Sequence, residues 1–253
     1  MKTAFITGAA SGIGLATARK LASQGWRVGL YDINQKGIDE LLVAPEFSSA
    51  CGGYCDVTKS KSIHSALQHF AEHSGGRLHL LVNNAGVLTG GHFHEVAPKA
   101  HDLMIDINVK GLTQVAQLAF PLLKQTSGAV MVNLCSASSI HGVPLLGVYS
   151  ATKFYVNGLT EALNLEWASH DIRVTCVKPP IVNTSMGSSI PERLTSVMKV
   201  ELVAEDVADA ILVAAEGKKV GYWLGWKANL WGSVDKLLPW FVRRRLTGWM
   251  TGC

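Results

Sequence analysis

Residues 3–25 read TAFITGAASGIGLATARKLASQG, and the order of residue types in this stretch decides the fold of the first unit. Thr3 to Thr7 is a short apolar run that predicts a strand, while Gly12 to Gln24 places its apolar residues at helical spacing. Between them stands Thr7-Gly-Ala-Ala-Ser-Gly-Ile-Gly14. Glycines at such a turn let the backbone bend sharply and approach a pyrophosphate, whose charge then rests on the amino end of the next helix. Gly8, Ser11, Gly12, Ile13 and Gly14 are therefore candidate dinucleotide contacts.

The next strand, Arg27 to Asp32, ends in a carboxylate about 20 residues beyond the glycines, where it can accept hydrogen bonds from the ribose hydroxyls of an adenosine. The same charge repels a 2′-phosphate. No Arg or Lys lies within Ala9 to Ile13 or directly after Asp32, so NAD is expected rather than NADP. The rival within enzymes is an NADP-dependent carbonyl reductase that tolerates Asp32.

Outward from this unit the alternation continues. Strands are predicted at Cys51 to Tyr54, Leu78 to Asn83, Ala129 to Leu134, Ile172 to Val177 and Val220 to Trp223. Helices are predicted at Gln35 to Ala44, Lys59 to His73, Pro98 to Thr126, Tyr149 to Ser169 and Ala204 to Glu216. Runs such as LHLLV and VMVNL imply burial on both faces, as in a parallel sheet covered by helices. The expected architecture is α/β, a single-domain Rossmann-like doubly wound parallel sheet flanked by helices on both faces. Residues 1–225 would form the dinucleotide-binding and catalytic unit, with a substrate loop at 183–200, and residues 226–253 an extension of the same domain.

Composition narrows the function. With 253 residues, 48% apolar and 17% charged, the chain can bury a large core, which excludes a disordered chain, a collagen-like repeat and a disulfide-stapled miniature. The net charge of +4 is local: residues 218–253 hold seven basic side chains against Asp235, which leaves the rest mildly acidic. A nucleic-acid-binding surface along the whole molecule is thereby excluded. Five cysteines without a C-x-x-C pair point to a reducing compartment. The expected location is the cytoplasm, because the first residues run straight into a strand and no apolar run reaches the roughly 18 residues of a bilayer span. The His, Asp and Glu spacings suggest no metal site, so no metal is expected.

Tyr149-Ser-Ala-Thr-Lys153 opens a helix and puts tyrosine and lysine four apart on one face. An adjacent ammonium favours phenolate, so the pair can move a proton near neutral pH. Just past VMVNL, a hydroxyl of Cys135-Ser-Ala-Ser-Ser139 can polarise a carbonyl oxygen; spacing alone leaves Ser136, Ser138 and Ser139 open.

Taken together, the chain resembles the classical short-chain dehydrogenases/reductases over roughly residues 2–225. The motifs in order are TGAASGIG at 7–14, Asp56-Val57, Asn83-Asn84-Ala85-Gly86, Asn108 within a long helix, Ser136, and Tyr149 with Lys153. The resemblance implies Tyr149 as general acid or base, Ser136 positioning the substrate oxygen, Lys153 lowering the tyrosine pKa and binding the nicotinamide ribose, and Asn108 holding a relay water. It also implies cofactor contacts from Asp56 and Val57 at the adenine, from Asn84, Ala85 and Gly86 along the cleft, and from Pro179, Val182 and Thr184 beside the nicotinamide. Family members usually carry Pro-Gly where this chain has Pro179-Pro180, which leaves that loop's shape open. A homotetramer or homodimer through the long helices is implied as well. The implied activity is hydride exchange between NAD(H) and a secondary alcohol or ketone. A non-catalytic cofactor-binding scaffold is the rival from another class.

Met186, Ile190, Leu194, Val197 and Met198 would give the substrate loop an apolar surface, with Leu145, Leu146 and Val87 to Phe93 opposite, which suggests an apolar or bulky substrate. Five of the seven tryptophans fall in residues 218–253, and Trp240 and Phe241 precede Arg243, Arg244 and Arg245. This tail reads two ways: as a peripheral membrane segment, or as packing over the pocket or against a second subunit.

Overall fold

All five residues of β1 (Thr3–Thr7) are buried, because the strand is flanked on both sides by others and covered on both faces. It is the third strand of a seven-stranded parallel sheet in the computed structural model, which describes residues 1–197, 202–225 and 238–251. The other strands of that sheet are β2 (Arg27–Asp32), β3 (Cys51–Tyr54), β4 (Leu80–Asn83), β5 (Ala129–Leu134), β6 (Ile172–Lys178) and, last in the chain, β9 (Gly221–Trp223). Their order is β3-β2-β1-β4-β5-β6-β9. A two-stranded parallel pair, β7 (Val182–Asn183) and β8 (Leu202–Val203), lies in the region expected to cover the substrate.

The strand order reverses between β1 and β4, which pair in the register Ala4 with Leu80 and Ile6 with Val82. At such a switch point the crossovers leave in opposite directions, and a crevice opens beyond the strands' carboxyl ends. Side chains alternate along the strands as the pleat requires. Phe5, Leu81, Met131 and Val174 face α3 (Ser60–Ser74) and α5 (Leu112–Lys124), meeting Ile63, Phe70, Val115 and Ala119. Ala4, Ile6, Val82 and Val132 face α1 (Gly12–Ser23), α2 (Gln35–Leu42) and α8 (Ala204–Glu216), meeting Leu21, Ile38, Val207 and Ile211. Each such fully buried Leu, Ile or Phe contributes about 1.5–3 kcal/mol relative to exposure. The doubly wound architecture read from the sequence is the one observed.

Several boundaries differ from expectation for local reasons. β4 begins at Leu80 rather than Leu78, since the Leu78 amide donates to Thr126 Oγ1 at 2.9 Å instead of joining the ladder. α6 (Gly147–Glu166) starts two residues before Tyr149 and is followed by a 3₁₀ turn, Trp167–His170. The largest departure concerns the helix expected to run unbroken over 98–126. It divides into α4 (Pro98–Ile105), a π-helical segment Asp106–Gly111, and α5. The wide turn carries Asn108 inward, and its close approach to the loop after β3 requires Gly111, where a Cβ would lie 2.9 Å from Val57 Cγ2.

Beyond β7 the chain forms α7 (Glu192–Val197), and near its end α9 (Trp240–Thr251), which packs against α7. Met198, Lys199, Trp226, Lys227, Trp231, Asp235, Lys236, Leu237 and Cys253 lie outside the described residues.

Candidate active site

The glycine turn after β1 is held from below. Gly8 and Gly12 have φ of +66° and +53°, a conformation that side-chain-bearing residues rarely adopt. Gly14 is required for space instead: a Cβ there would lie 2.0 Å from the Gly8 carbonyl oxygen. Asn84 clamps the turn, its Nδ2 donating to the carbonyls of Thr7 at 2.9 Å and Gly8 at 3.1 Å. Thr7 Oγ1 accepts from the Asn84 and Ala85 amides, both at 3.0 Å. Asn84 thus supports the turn as well as lining the cleft. Ser11 makes no side-chain capping bond to α1, so the orphan amides of the first helical turn are available to an anion.

Asp32 is fixed at the end of β2 by two backbone donors, Ala10 N to Oδ2 at 3.0 Å and Asn34 N to Oδ1 at 2.9 Å. Both oxygens keep further lone pairs. Asp56, after β3, accepts from Thr58 N at 3.0 Å and Thr58 Oγ1 at 2.6 Å, and pairs with Lys59 Nζ at 3.0 Å. Burial works to raise its pKa, but these hydrogen bonds and the Lys59 charge outweigh it and hold the carboxyl below its ordinary value.

Tyr149, Ser136 and Lys153 converge beyond the end of β5. Ser136 opens a 3₁₀ turn and its Oγ sits 2.9 Å from Ser138 Oγ, 3.1 Å from the Ser138 amide and 3.5 Å from the Pro179 carbonyl. Ser136 and the Tyr149 phenol line the same stretch of the cavity. Lys153 Nζ donates to the Leu134 carbonyl at 2.8 Å and stands 5.5 Å from the Tyr149 ring centroid. The Tyr149 phenol as a whole stands above its ordinary pKa. Burial dominates and pushes the phenol up, the Ser136 hydroxyl opposes it, and a charge on Cys135 would raise it further. Burial also lowers the Lys153 pKa, disfavouring its own charge.

Asn108 bonds the backbone of the cleft through both ends of its side-chain amide. Its Oδ1 accepts from Val87 N and its Nδ2 donates to Val87 O, both at 2.8 Å, with Thr152 Oγ1 at 3.3 Å. It is 1% exposed, so the side chain fixes the Val87 backbone beside Gly86, where a Cβ would lie 3.2 Å from Asn108 Oδ1.

These groups surround one cavity of about 830 Å³, within the range usual for cofactor and small-molecule sites. Gly8, Ser11, Gly12, Ile13, Asp32, Asp56 and Val57 line it beside the ends of β1, β2 and β3. Asn84, Ala85 and Gly86 lead along it to Ser136, Tyr149 and Lys153, with Pro179, Val182 and Thr184 opposite. Gly14 and Asn108 are absent from the lining and act from behind it. The two prolines are accommodated without a cis peptide, the Pro179 carbonyl accepting from Ala137 N at 2.8 Å. Thr184 closes on the glycine turn, its Cγ2 3.7 Å from where a Gly12 Cβ would stand.

Leu88, Leu146, Tyr149 and Leu194 form a buried apolar cluster at the reactive end, with Val143, Met186 and Ile190 against it. Leu145, beside them, takes φ +66° although it is not glycine, and its carbonyl accepts from Gly91 N at 2.8 Å. Sequence reasoning missed Ile33, Cys55, Leu224 and Thr247, all in the lining. For Ile33 the signal was available: an apolar residue directly follows Asp32 and is 63% exposed. For Thr247 only the fold could supply it, since α9 brings its hydroxyl against His141 Nε2 at the cavity.

The comparisons with known proteins agree with this geometry. The short chain dehydrogenase family matches residues 2–195. A 3alpha-hydroxysteroid dehydrogenase of Mediterraneibacter gnavus is 31% identical over 225 residues, which cover 85% of this chain and 90% of that protein. A short chain dehydrogenase/reductase from Burkholderia phymatum, solved in complex with NAD, superposes with a TM-score of 0.80 at 26% identity over 93% of this chain and 94% of that one. An alcohol dehydrogenase of Thermococcus sibiricus complexed with 5-hydroxy-NADP gives 0.78 at 25% identity over 88% and 96%. A glycine turn clamped by Asn84, a parallel sheet reversing at that turn and a match across three quarters of the length have one explanation, which is that this chain belongs to the short chain dehydrogenase family of nicotinamide-dependent oxidoreductases.

Proposed function

We propose that the protein is an NAD(H)-dependent oxidoreductase interconverting an apolar or bulky secondary alcohol and its ketone. The observation that carries this is that Tyr149 and Ser136 line one cavity beside an apolar wall, with the anchored Asp32 carboxylate lining the same cavity. The cofactor fits the residues present: left-handed glycines and free helix amides suit a pyrophosphate, and Asp32 suits a ribose diol. Lys153 is the only lysine or arginine in the described lining, and it stands among the catalytic groups. No cation there would offset a 2′-phosphate beside Asp32. This supports NAD.

The nicotinamide, when bound, supplies or accepts the hydride. The chain's own residues handle the proton. Ser136 Oγ holds the substrate oxygen next to the Tyr149 hydroxyl, and Tyr149 takes the proton from the alcohol during oxidation and returns it during reduction. Lys153, fixed by the Leu134 carbonyl, holds positive charge near the phenolate. Asn108 keeps Val87 and Gly86 in place along the cleft. Purified protein offered NAD⁺ or NADP⁺ with secondary alcohols from short aliphatic to steroid is expected to turn over with NAD⁺, with kcat/KM rising with substrate hydrophobicity. Turnover with NADP⁺ alone would overturn the cofactor assignment.

The tail fits the same reading as a cover for the apolar end. Among the described residues no helix is long and apolar enough to cross a membrane. On α9, however, Trp240 and Phe241 are 67% and 54% exposed, and Arg244 and Arg245 follow one turn later on the same face, also exposed. An aromatic pair beside a cationic pair suits the headgroup region of an anionic bilayer, while Thr247 keeps the inner side on the cavity. Flotation with vesicles rich in phosphatidylserine is expected to carry the protein, and Trp240→Ser with Phe241→Ser to release it; failure of the intact protein to float removes this part of the proposal. Exposed Phe154, Tyr155 and Leu165 on α6, with Leu103 and Ile105 on α4, support association of subunits through those helices.

A further inference from the structure

At the amino end of β3, away from the cavity, the topology gathers three metal-binding side chains. Cys51 begins the edge strand, and His69 and His73 lie one turn apart on α3, which crosses it. One donor atom from each lies within 4.8 Å of the other two. We propose that Cys51, His69 and His73 form a binding site for a thiophilic divalent cation, zinc by preference, with water as a further ligand.

The chemistry favours such an ion. One sulfur and two imidazole nitrogens are a borderline-soft donor set, suited to zinc and poorly suited to magnesium or calcium. Bond lengths of about 2.3 Å to sulfur and 2.0–2.1 Å to nitrogen place tetrahedral donors roughly 3.3–3.6 Å apart. The donors must therefore close by little more than an ångström, and His73, which is exposed, can turn to achieve it. The imidazoles are already oriented by partners other than a metal. His73 Nδ1 donates to the His69 carbonyl at 2.8 Å, which leaves its Nε2 as the lone-pair atom. His69 Nδ1 is 2.8 Å from Tyr31 Oη, which is itself 3.8 Å from Cys51 Sγ. Outer partners of this kind fix ring orientation in metal sites. The two rings stand 4.4 Å apart, and the Glu72 carboxylate places negative charge near His69 and Tyr31. No spacing in the sequence suggests this group, because Cys51 joins the two histidines only through the fold.

On binding, Cys51 gives its proton to solvent and the ion ties α3 to an edge strand only four residues long. The expected consequence is stabilisation of the protein by zinc that grows with the logarithm of its excess over the dissociation constant. The test uses cobalt(II) and then zinc added to the full-length, chelator-treated protein. One equivalent of cobalt should give a thiolate-to-cobalt charge-transfer band, zinc should abolish the band and raise Tm, and Cys51→Ser should lack it. His73→Ala, an exposed change that leaves the core intact, should bind cobalt at least about tenfold more weakly. Absence of the band in the wild type, or its persistence unchanged in Cys51→Ser or in His73→Ala, overturns the assignment.

Discussion

Tyr149→Phe is expected to lower kcat by about 10²–10⁴-fold while leaving NADH affinity unchanged, because only the proton carrier is removed. The ring remains to fill the apolar cluster with Leu88, Leu146 and Leu194, so the fold is undisturbed. The direction of the pH dependence follows from the site. Burial holds the phenol above its ordinary value, and oxidation requires phenolate. Oxidative kcat/KM therefore rises with pH as the phenolate fraction grows, and reductive kcat/KM, which requires the phenol, falls over the same interval. Stopped-flow and steady-state rates in both directions would show these opposed limbs. A Tyr149→Phe enzyme with wild-type kcat removes the tyrosine from the chemistry.

Replacing Asp32 should have the next largest effect. Asp32→Ala deletes the acceptor for the ribose hydroxyls, and hydrogen bonds to a charged group are worth about 1.5–3 kcal/mol, or roughly tenfold to a hundredfold in NADH affinity. Affinity for NADPH should rise, since the repulsion of its 2′-phosphate is gone. Because Asp32 also receives the Ala10 and Asn34 amides, part of the loss could come from a loosened glycine turn. Asp32→Asn narrows the contributions: its one carboxamide oxygen still accepts from one of the two backbone amides, while the charge and the second acceptor are removed. Fluorescence titration with both cofactors measures the ratio, and an unchanged preference in both variants refutes the role given to this carboxylate.

What was legible in the sequence had short range. The β1 turn, the strand-end Asp32 and the Tyr149–Lys153 pair are each written within a few residues, so their positions follow once the strands are recognised. Burial on both faces was legible in LHLLV and VMVNL for the same reason. The π-helical segment was not, since Asp-Ile-Asn-Val-Lys-Gly fits an α-helix equally well and only the bonds of Asn108 to Val87 favour the wider turn. Nor was the pairing of Cys51 with His69, which depends on how α3 crosses an edge strand. The pKa of Tyr149 illustrates a different limit. The ammonium four residues on is visible in the sequence, whereas the burial that raises the phenol belongs to the assembled cavity.

The wide turn at Asp106–Gly111 has a further consequence. A π turn accommodates one residue more than the α-helix around it, so α4 against α6 and α5 against β4 and β5 can keep their seats with or without that residue. The buried amide that secures Val87 is thus carried by chain length as much as by residue type. Shortening the segment by one would leave the scaffold its shape and withdraw the support from the cleft, so the helix has, in effect, a separable part for holding the site.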